Sequence, residues 1–238
     1  MTWIKICGMT NLEDALAAVE AGADAVGFVF YEKSPRNVTV EAAREIVREL
    51  PESVEKIGVF VAGAGPEPHR FVDQAELTGM QTYLLGDSGT ANGKATGRSV
   101  FPGRMRFLLA LPMKVFAGEE ASRGLAASFA NWKKNIPDEI SAPAEMMDTV
   151  VLDAGDLMMP GGTGRTFDWE KAVPIAEAMR QGGVKLVVAG GLTPENVDEA
   201  IRILKPWGVD VVSGVEARPG KKDPEKVRAF VRAVRAAG

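Results

Sequence analysis

The only cysteine of the chain, Cys7, lies where a first β-strand should end. The apolar run before it stops at Gly8, and Thr10 or Asn11 is predicted to cap the helix that follows. In barrels of parallel strands the catalytic groups lie at the carboxyl ends of the strands, so this thiol is a candidate for chemistry. On the local sequence alone, a small buried hydrophobe is an equally good interpretation of Cys7.

Asp153 is the carboxylate that would complement this thiol, because it ends another apolar run, Val150-Val151-Leu152. An aspartate seldom lies at such a position without a partner. It either braces the next loop by hydrogen bonds or faces Cys7 across a shared site, where the two would form an acid–base pair. Asp210 begins an apolar run rather than ending one, so the pattern alone places it at the opposite end of its strand.

Two glycine turns are candidates for binding a phosphate. Gly190-Gly191 follows the predicted seventh strand, and Ser213-Gly214 follows the eighth. The loops after these two strands often bind phosphate in an eight-stranded α/β barrel, because bare backbone amides converge there with a helix N-terminus. A third glycine-rich run, residues 160–165, includes Gly162 and leads to Asp168 as a predicted helix cap. It is predicted to be a lid or ligand clamp rather than a spacer.

Strands and helices alternate along the chain, which predicts a parallel eight-stranded (β/α)8 TIM barrel formed by residues 1–238 as a single domain. Residues 86–99 have almost no apolar side chains, so the fourth βα unit is expected to be irregular. A doubly wound open sheet is the alternative, but no Gly-x-Gly-x-x-Gly turn follows the first strand. The predicted strands are the run ending at Cys7 and residues 25–30, 56–61, 81–85, 106–113, 149–153, 184–189 and 210–212. The predicted helices are 11–20, 40–50, 67–76, 121–134, 168–181, 194–204 and 224–236.

Composition excludes several classes of function. A net charge of −4 argues against a nucleic-acid partner. One cysteine cannot form an internal disulfide and suits a reducing cytoplasm. The single histidine, His69, has no nearby pattern of metal ligands, so no metal is expected. Neither a signal peptide nor a membrane-spanning segment is predicted.

Taken together, these motifs resemble the phosphoribosylanthranilate isomerase family of tryptophan biosynthesis. The resemblance covers residues 1–61 and 150–238, in the family's order. The matching motifs are Lys5-Ile6-Cys7-Gly8, Gly22-Ala23-Asp24-Ala25-Val26-Gly27-Phe28, Ser34-Pro35-Arg36, Leu152-Asp153, Gly161-Gly162-Thr163-Gly164 with Phe167-Asp168-Trp169, Gly190-Gly191-Leu192-Thr193-Pro194-Glu195-Asn196-Val197, and Val211-Val212-Ser213-Gly214-Val215-Glu216 with Pro219-Gly220-Lys221-Lys222-Asp223.

The resemblance implies the same barrel and an Amadori rearrangement of N-(5-phosphoribosyl)anthranilate, with no metal or organic cofactor. It implies that Asp153 is the general acid, that Cys7 is the general base and that Arg36 holds the anthranilate carboxylate. Asp210 matches a residue that contacts the substrate, against the interpretation from the pattern. The implied partner is a small phosphorylated substrate, and the implied state is a monomer or homodimer. The remaining substrate-binding residues that it implies are Gly162, Gly190, Gly191, Ser213 and Gly214.

The middle of the chain departs from the family pattern. The family usually shows Val-Gln-Leu-His-Gly at strand four, whereas residues 80–87 read Met-Gln-Thr-Tyr-Leu-Leu-Gly-Asp, without a histidine. A fourth helix is expected to be missing. Two other functions stay open: the related sugar isomerase of histidine biosynthesis, which normally has an aspartate at the first strand end, and a phosphate-binding barrel without activity.

An acid–base pair works near neutral pH only if the pKa of each group is moved toward it. Strand alternation puts Lys5 on the same face as Cys7. A neighbouring cation lowers the pKa of a thiol, so Lys5 is expected to lower that of Cys7.

Overall fold

Eight parallel strands close into a barrel in chain order, and the last of them pairs with the first. The computed structural model describes residues 1–61, 68–83, 105–113, 148–155 and 166–238. The predicted (β/α)8 architecture is therefore confirmed in the part of the chain that is described. The barrel strands are β1 (Trp3–Cys7), β2 (Ala25–Val29), β3 (Glu55–Val61), β4 (Gly79–Tyr83), β5 (Arg106–Pro112), β6 (Thr149–Asp153), β7 (Lys185–Val188) and β8 (Gly208–Val211).

Helices follow the strands, and two of them begin at polar caps that the sequence predicts. The Asn11 side chain accepts a hydrogen bond from the Asp14 backbone amide at 3.0 Å, and Asp168 accepts from that of Lys171 at 3.2 Å. The first helix ends at Gly22, whose φ of 97° is left-handed. The described helices are α1 (Leu12–Ala21), α2 (Val40–Arg48), α3 (Pro68–Gln74), α4 (Trp169–Gln181), α5 (Val197–Leu204) and α6 (Pro224–Ala237). None of those helices is long and apolar enough to cross a membrane.

Side chains alternate between the barrel interior and the layer under the helices. Ile4 and Ile6 pack in the outer layer, whereas Cys7 belongs to the inner cluster with residues such as Ala25 and Val151. Lys5 has the same parity as Cys7 and is completely buried. The alternation of β1 therefore sends an ammonium group and a thiol into the same enclosed interior, where each needs a polar partner.

Several predicted boundaries are wrong, and three elements start two or more residues away from the predicted position. The fourth strand begins at Gly79 and not at residue 81, and the eighth begins at Gly208, so Asp210 lies near the carboxyl end of its strand. The helix expected to start at residue 194 starts at Val197, because the Asn196 side chain instead accepts from the Thr193 amide at 2.8 Å and closes a turn. The loop predicted at 86–99, the helix predicted at 121–134, and Gly162 all lie outside the described residues.

A small antiparallel hairpin follows β8 and was not predicted. A short 3₁₀ turn, Ser213–Val215, leads into β9 (Glu216–Arg218), which pairs with β10 (Lys221–Lys222). Glu216 and Lys222 are both buried. The hairpin thus brings one carboxylate and one ammonium group to the barrel mouth.

Candidate active site

A cavity opens where the barrel strands end. Its lining includes the last residues of β1, β4 and β6 and both predicted phosphate turns; among the residues that form it are Cys7, Tyr83, Asp153, Gly190, Asp210 and Ser213. The structure therefore brings together the proposed thiol and carboxyl, which are far apart in sequence. Arg36 and Gly214 do not line this cavity but pack beside it.

Cys7 ends β1 and is only 3 % exposed. Gly27 is its register partner on β2, and a Cβ atom there would lie 2.5 Å from the Cys7 Sγ. Glycine is therefore required at position 27 to give the sulfur atom its place. This close approach explains why the motif that runs from Gly22 to Phe28 has a glycine at position 27.

Lys5 and Asp210 form a buried ion pair below the cavity. They are register partners on β1 and β8, and the Lys5 Nζ donates to the Asp210 Oδ2 at 2.8 Å. Burial opposes the charge of Lys5, but Asp210 and Cys7 outweigh it and raise the pKa of Lys5. Asp210 lines the cavity and its Oδ1 has no partner among the described residues. The expectation from the pattern that Asp210 lies at the opposite end of the strand is therefore wrong.

The expected lowering of the Cys7 pKa is also wrong. Burial raises the pKa of Cys7, and the nearby carboxylate of Asp210 raises it further. Lys5 and Lys222 act in the opposite direction, but they do not compensate for the loss of water around the sulfur. In the free protein the thiol form of Cys7 is consequently favoured at neutral pH.

We expect this balance to be measurable, because Cys7 is the only cysteine of the chain. The ultraviolet absorbance of the thiolate, taken as the difference between the wild type and Cys7→Ser, should appear at higher pH than for a cysteine in a short peptide. The same titration of the double variant Lys5→Met/Asp210→Asn reports how the ion pair affects the Cys7 pKa. Both partners are removed together because this avoids an unpaired buried charge. A thiolate that appears at lower pH than in the peptide would contradict the dominance of burial.

Asp153 ends β6 and is 3 % exposed. Its Oδ1 accepts from the Gly155 backbone amide at 2.8 Å, and its Oδ2 accepts from the Tyr83 hydroxyl at 2.6 Å. The Asp153 carboxyl is thus held at both oxygens and faces the cavity. Sequence reasoning missed Tyr83. The feature that could have identified Tyr83 is its place at the end of the fourth strand, where the resemblance predicts a histidine and the chain has none.

Arg36 reaches the mouth from the loop after β2 and makes a two-pronged ion pair with Glu216. Its Nε donates to the Glu216 Oε1 at 2.8 Å, and its Nη2 donates to the Oε2 at 2.7 Å. Lys222 approaches the same carboxylate at 3.2 Å. Burial alone would raise the pKa of Glu216, but Arg36 and Lys222 lower it. Sequence reasoning missed both Glu216 and Lys222, because each lies in the unpredicted hairpin.

The two phosphate turns touch each other. Gly190 and Gly191 have left-handed φ values of 85° and 65°. A Cβ atom at Gly214 would overlap the Leu192 carbonyl oxygen, so only glycine allows the second turn to pack on the first. The Asn196 side chain donates to the Gly191 carbonyl at 3.0 Å and fixes the first turn just before α5. The predicted juxtaposition of Gly190, Gly191, Ser213 and Gly214 is therefore present.

Among the described residues, no group of three or more His, Cys, Asp or Glu side chains is arranged to hold a metal ion. His69 lies in α3, on the opposite side of the barrel wall from the inner cluster. The side-chain groups that the described residues offer to the cavity are therefore a thiol, two carboxyls, a phenol and the Ser213 hydroxyl.

Comparison with known proteins shows the family of this chain. The family model described as N-(5'phosphoribosyl)anthranilate (PRA) isomerase matches residues 4–81 and 120–233. A curated relative from Geobacter sp. (strain M21), named N-(5'-phosphoribosyl)anthranilate isomerase, is 43% identical over 232 residues, which cover 97% of each chain.

Solved structures agree with this result. A phosphoribosyl anthranilate isomerase in complex with reduced 1-(o-carboxyphenylamino)-1-deoxyribulose 5-phosphate is 33% identical, with a TM-score of 0.69 and coverage of 99% of this chain and 100% of that one. Monomers generated from the dimeric phosphoribosylanthranilate isomerase of Thermotoga maritima are 34% identical, with a TM-score of 0.68 and coverage of 99% of each chain.

Proposed function

The chain belongs to the N-(5'-phosphoribosyl)anthranilate isomerase family, and on this premise we propose that Cys7 and Asp153 carry out its two proton transfers. The enzyme catalyses the Amadori rearrangement of N-(5-phosphoribosyl)anthranilate to 1-(2-carboxyphenylamino)-1-deoxyribulose 5-phosphate in tryptophan biosynthesis. The rearrangement is an intramolecular oxidation–reduction, because C2′ of the sugar is oxidised while C1′ is reduced.

One observation supports the assignment above all others: Cys7 and Asp153 line a single cavity together with the glycine turns after β7 and β8. An acid, a base and glycine turns whose backbone amides can bind a phosphate are what a phosphorylated aldose needs for isomerisation. The two glycine turns would fix the phosphate end, which places the sugar between the thiol and the carboxyl.

The chemistry begins at Asp153, which donates a proton to the ring oxygen of the sugar. The bond from C1′ to that oxygen breaks, and the amine lone pair forms an iminium at C1′. The Cys7 thiolate then removes the C2′ proton, and the electrons of that C–H bond neutralise the iminium to give an enolamine. Cys7 returns this proton to C1′ and then takes up the enol proton, which gives the ketone and restores the thiol. Each step balances with no metal or organic cofactor.

The second half of this mechanism needs a deprotonated Cys7. Lys5 and Lys222 both act on the sulfur in the direction that stabilises a thiolate, while burial acts against it. The iminium formed in the first step adds a positive charge beside the sulfur, at the moment when a base is required. We propose that this charge completes the activation of Cys7, since an opposite charge at close range favours the ionised form. The thiol proton passes to the Asp153 carboxylate, which the first step leaves ionised in the same cavity.

Arg36 is proposed to bind the anthranilate carboxylate. Two of its nitrogens, Nε and Nη2, are engaged by Glu216. Within the described residues nothing accepts a hydrogen bond from Nη1, so this nitrogen has a donor to offer to a ligand. The pair with Glu216 holds the guanidinium plane in one orientation, as bidentate pairs do. Asp210, which lines the cavity and whose Oδ1 has no partner among the described residues, is proposed to accept a hydrogen bond from the substrate.

The phosphate is proposed to bind to the backbone amides of Gly190, Gly191, Ser213 and Gly214, with Gly162 contributing from outside the described residues. We expect Gly191→Val to raise KM strongly, because a branched side chain blocks the approach of the phosphate and is strained at a φ of 65°. The measurement is KM for the substrate together with the dissociation constant of inorganic phosphate.

Gly183→Val is the matched control for this variant. Gly183 has a similar φ of 70°, but a Cβ atom there would meet nothing within 4 Å. Valine at 183 therefore imposes the same kind of backbone strain far from the cavity. If Gly183→Val raises KM as much as Gly191→Val does, or if phosphate is found elsewhere in a ligand complex, the phosphate assignment is wrong.

The function itself is tested by following the fluorescence of phosphoribosylanthranilate as purified protein consumes it. The doubly phosphorylated substrate of the histidine-pathway isomerase serves as the competing substrate. Loss of the anthranilate compound without turnover of the competitor is expected. Binding of the reduced product without any turnover would instead favour a phosphate-binding barrel.

We propose further that residues 1–238 act as a single domain and that the protein works in the cytoplasm as a monomer or homodimer, with a small phosphorylated substrate and no nucleic acid or membrane as partner. A reducing compartment suits the single reactive thiol. The Thermotoga maritima relative is described as dimeric, which supports the homodimer as one of the two states. Light scattering at several protein concentrations distinguishes them.

A further inference from the structure

Tyr83 occupies the carboxyl end of β4, at the position of the strand-four histidine that the resemblance predicts. Its side chain is 6 % exposed and lines the cavity beside Asp153. The hydroxyl donates to the Asp153 Oδ2 at 2.6 Å, across the strand that separates β4 from β6. This contact belongs to the barrel interior and joins two residues that are 70 positions apart.

The register of the barrel explains how a tyrosine makes this contact. Tyr83 pairs with Ala110 on β5, and Ala110 pairs with Val151 on β6, two residues before Asp153. All three of Tyr83, Ala110 and Val151 belong to the inner cluster. The small side chain of Ala110 leaves a path for the ring over β5. A phenol reaches farther from its backbone than an imidazole does, so it spans the intervening strand.

The hydrogen bonds at Asp153 fix its orientation completely. The Gly155 amide occupies one lone pair of Oδ1, and the Tyr83 hydroxyl occupies one lone pair of Oδ2. Each carboxyl oxygen has a second lone pair, so the group can still carry a proton for transfer. Burial, together with the charges of Asp153 and Asp210, raises the pKa of Tyr83 well above its ordinary value. Tyr83 therefore stays a hydrogen-bond donor throughout the pH range in which the enzyme works.

We propose that Tyr83 is a positioning residue for the reaction, whose hydroxyl orients Asp153 toward the ring oxygen and stabilises the carboxylate that remains after the proton has left. The proposal rests on the role of general acid proposed for Asp153. A charge-assisted hydrogen bond that strengthens as the carboxylate forms favours the transition state over the bound substrate.

Tyr83→Phe is the direct test, because it removes the hydroxyl and keeps the ring. We expect kcat to fall about ten- to a hundred-fold, the range of a hydrogen bond to a charged group. The affinity for the reduced product should stay close to that of the wild type, because the phosphate and anthranilate contacts are separate from Tyr83. Thr82→Val is the matched control: it removes a hydroxyl from the same strand, on the face that points away from the interior, and should leave kcat unchanged.

A second comparison separates positioning from general damage to the barrel. In an Asp153→Glu background the carboxyl is displaced by one methylene group, so the Tyr83 hydroxyl no longer meets it in the same geometry. Tyr83→Phe should then cost less than about three-fold in kcat, since residues that act through one contact are not additive. An equal fold-loss in both backgrounds would show that Tyr83 acts independently of Asp153 and would overturn the proposal.

The role of Asp153 and the role of Tyr83 can be disproved separately. If Asp153→Asn keeps its activity, the role of Asp153 itself is wrong. If Asp153→Asn is inactive while Tyr83→Phe retains more than half of the wild-type kcat, only the role of Tyr83 is wrong. A Tyr83→Phe protein that loses product affinity in parallel with kcat would also overturn the proposal, because a positioning residue for the acid acts on kcat alone.

Discussion

Cys7→Ser should lower kcat by a factor of about 10² to 10⁴, the usual contribution of a general base. A serine hydroxyl is a far weaker base than a thiolate at neutral pH. It also fits the space, because an oxygen atom is smaller than the sulfur atom that it replaces. We therefore expect folding and the affinity for the reduced product to be largely retained. The measurement is kcat from the fluorescence assay, with product affinity from a titration.

Ile6→Val is a suitable control, because it trims the neighbouring side chain on the outer face of the same strand. Its effect shows how much activity is lost when β1 is merely less well packed. Should Cys7→Ser keep more than about a tenth of the wild-type kcat, the general base must be another group. In that case Asp210, which lines the same cavity, becomes the candidate.

Asp153→Asn is the second change with a large expected effect, and it should reduce kcat by about 10² to 10⁴ as well. An amide cannot donate a proton to the ring oxygen. Its shape nevertheless suits the site: the amide oxygen can accept from the Gly155 N–H, and the amide NH₂ can donate to the Tyr83 oxygen. One hydrogen bond is kept at each oxygen position and only the Tyr83 hydroxyl proton loses its acceptor, so the fold should persist and the reduced product should still bind.

Asp153→Glu keeps a carboxylic acid but moves it by one methylene group, so we expect a weaker loss of kcat than for the asparagine variant. Both variants should be measured under the same conditions, with kcat and the affinity for the reduced product determined for each. Near-normal activity of Asp153→Asn would assign the acid to another residue. Loss of both folding and product binding would indicate instead that Asp153 mainly braces the loop after β6.

Local signals were enough to predict much of this protein. Asn11 and Asp168 cap helices as expected, and Gly22 ends the first helix in a left-handed conformation. Such signals act over a few residues, so they can be recognised from the sequence alone. The sixth strand was predicted to its last residue, Asp153, because an apolar run that stops at a carboxylate marks a boundary by itself.

Sequence patterns failed where a distant contact overrode a local preference. The turn at 194–196 resembles a helix start, yet the Asn196 side chain bonds to Thr193 and delays the helix. Asp210 was misplaced because its apolar neighbours continue in both directions, and only its pairing with Lys5 shows which end of the strand it occupies. The Cys7 pKa was misjudged because the sequence shows the neighbouring cation but not the burial of the sulfur.

The sequence by itself therefore determined the alternation of strands and helices, the strand ends that carry Cys7 and Asp153, and the glycine turns after β7 and β8. Only the tertiary structure decided the partners of these groups. Lys5 meets Asp210 across 205 residues, Arg36 meets Glu216 across 180, and Tyr83 meets Asp153 across 70. The physical reason is closure: alternation fixes which side chains enter the barrel, but the register of neighbouring strands fixes which of them come within hydrogen-bonding distance.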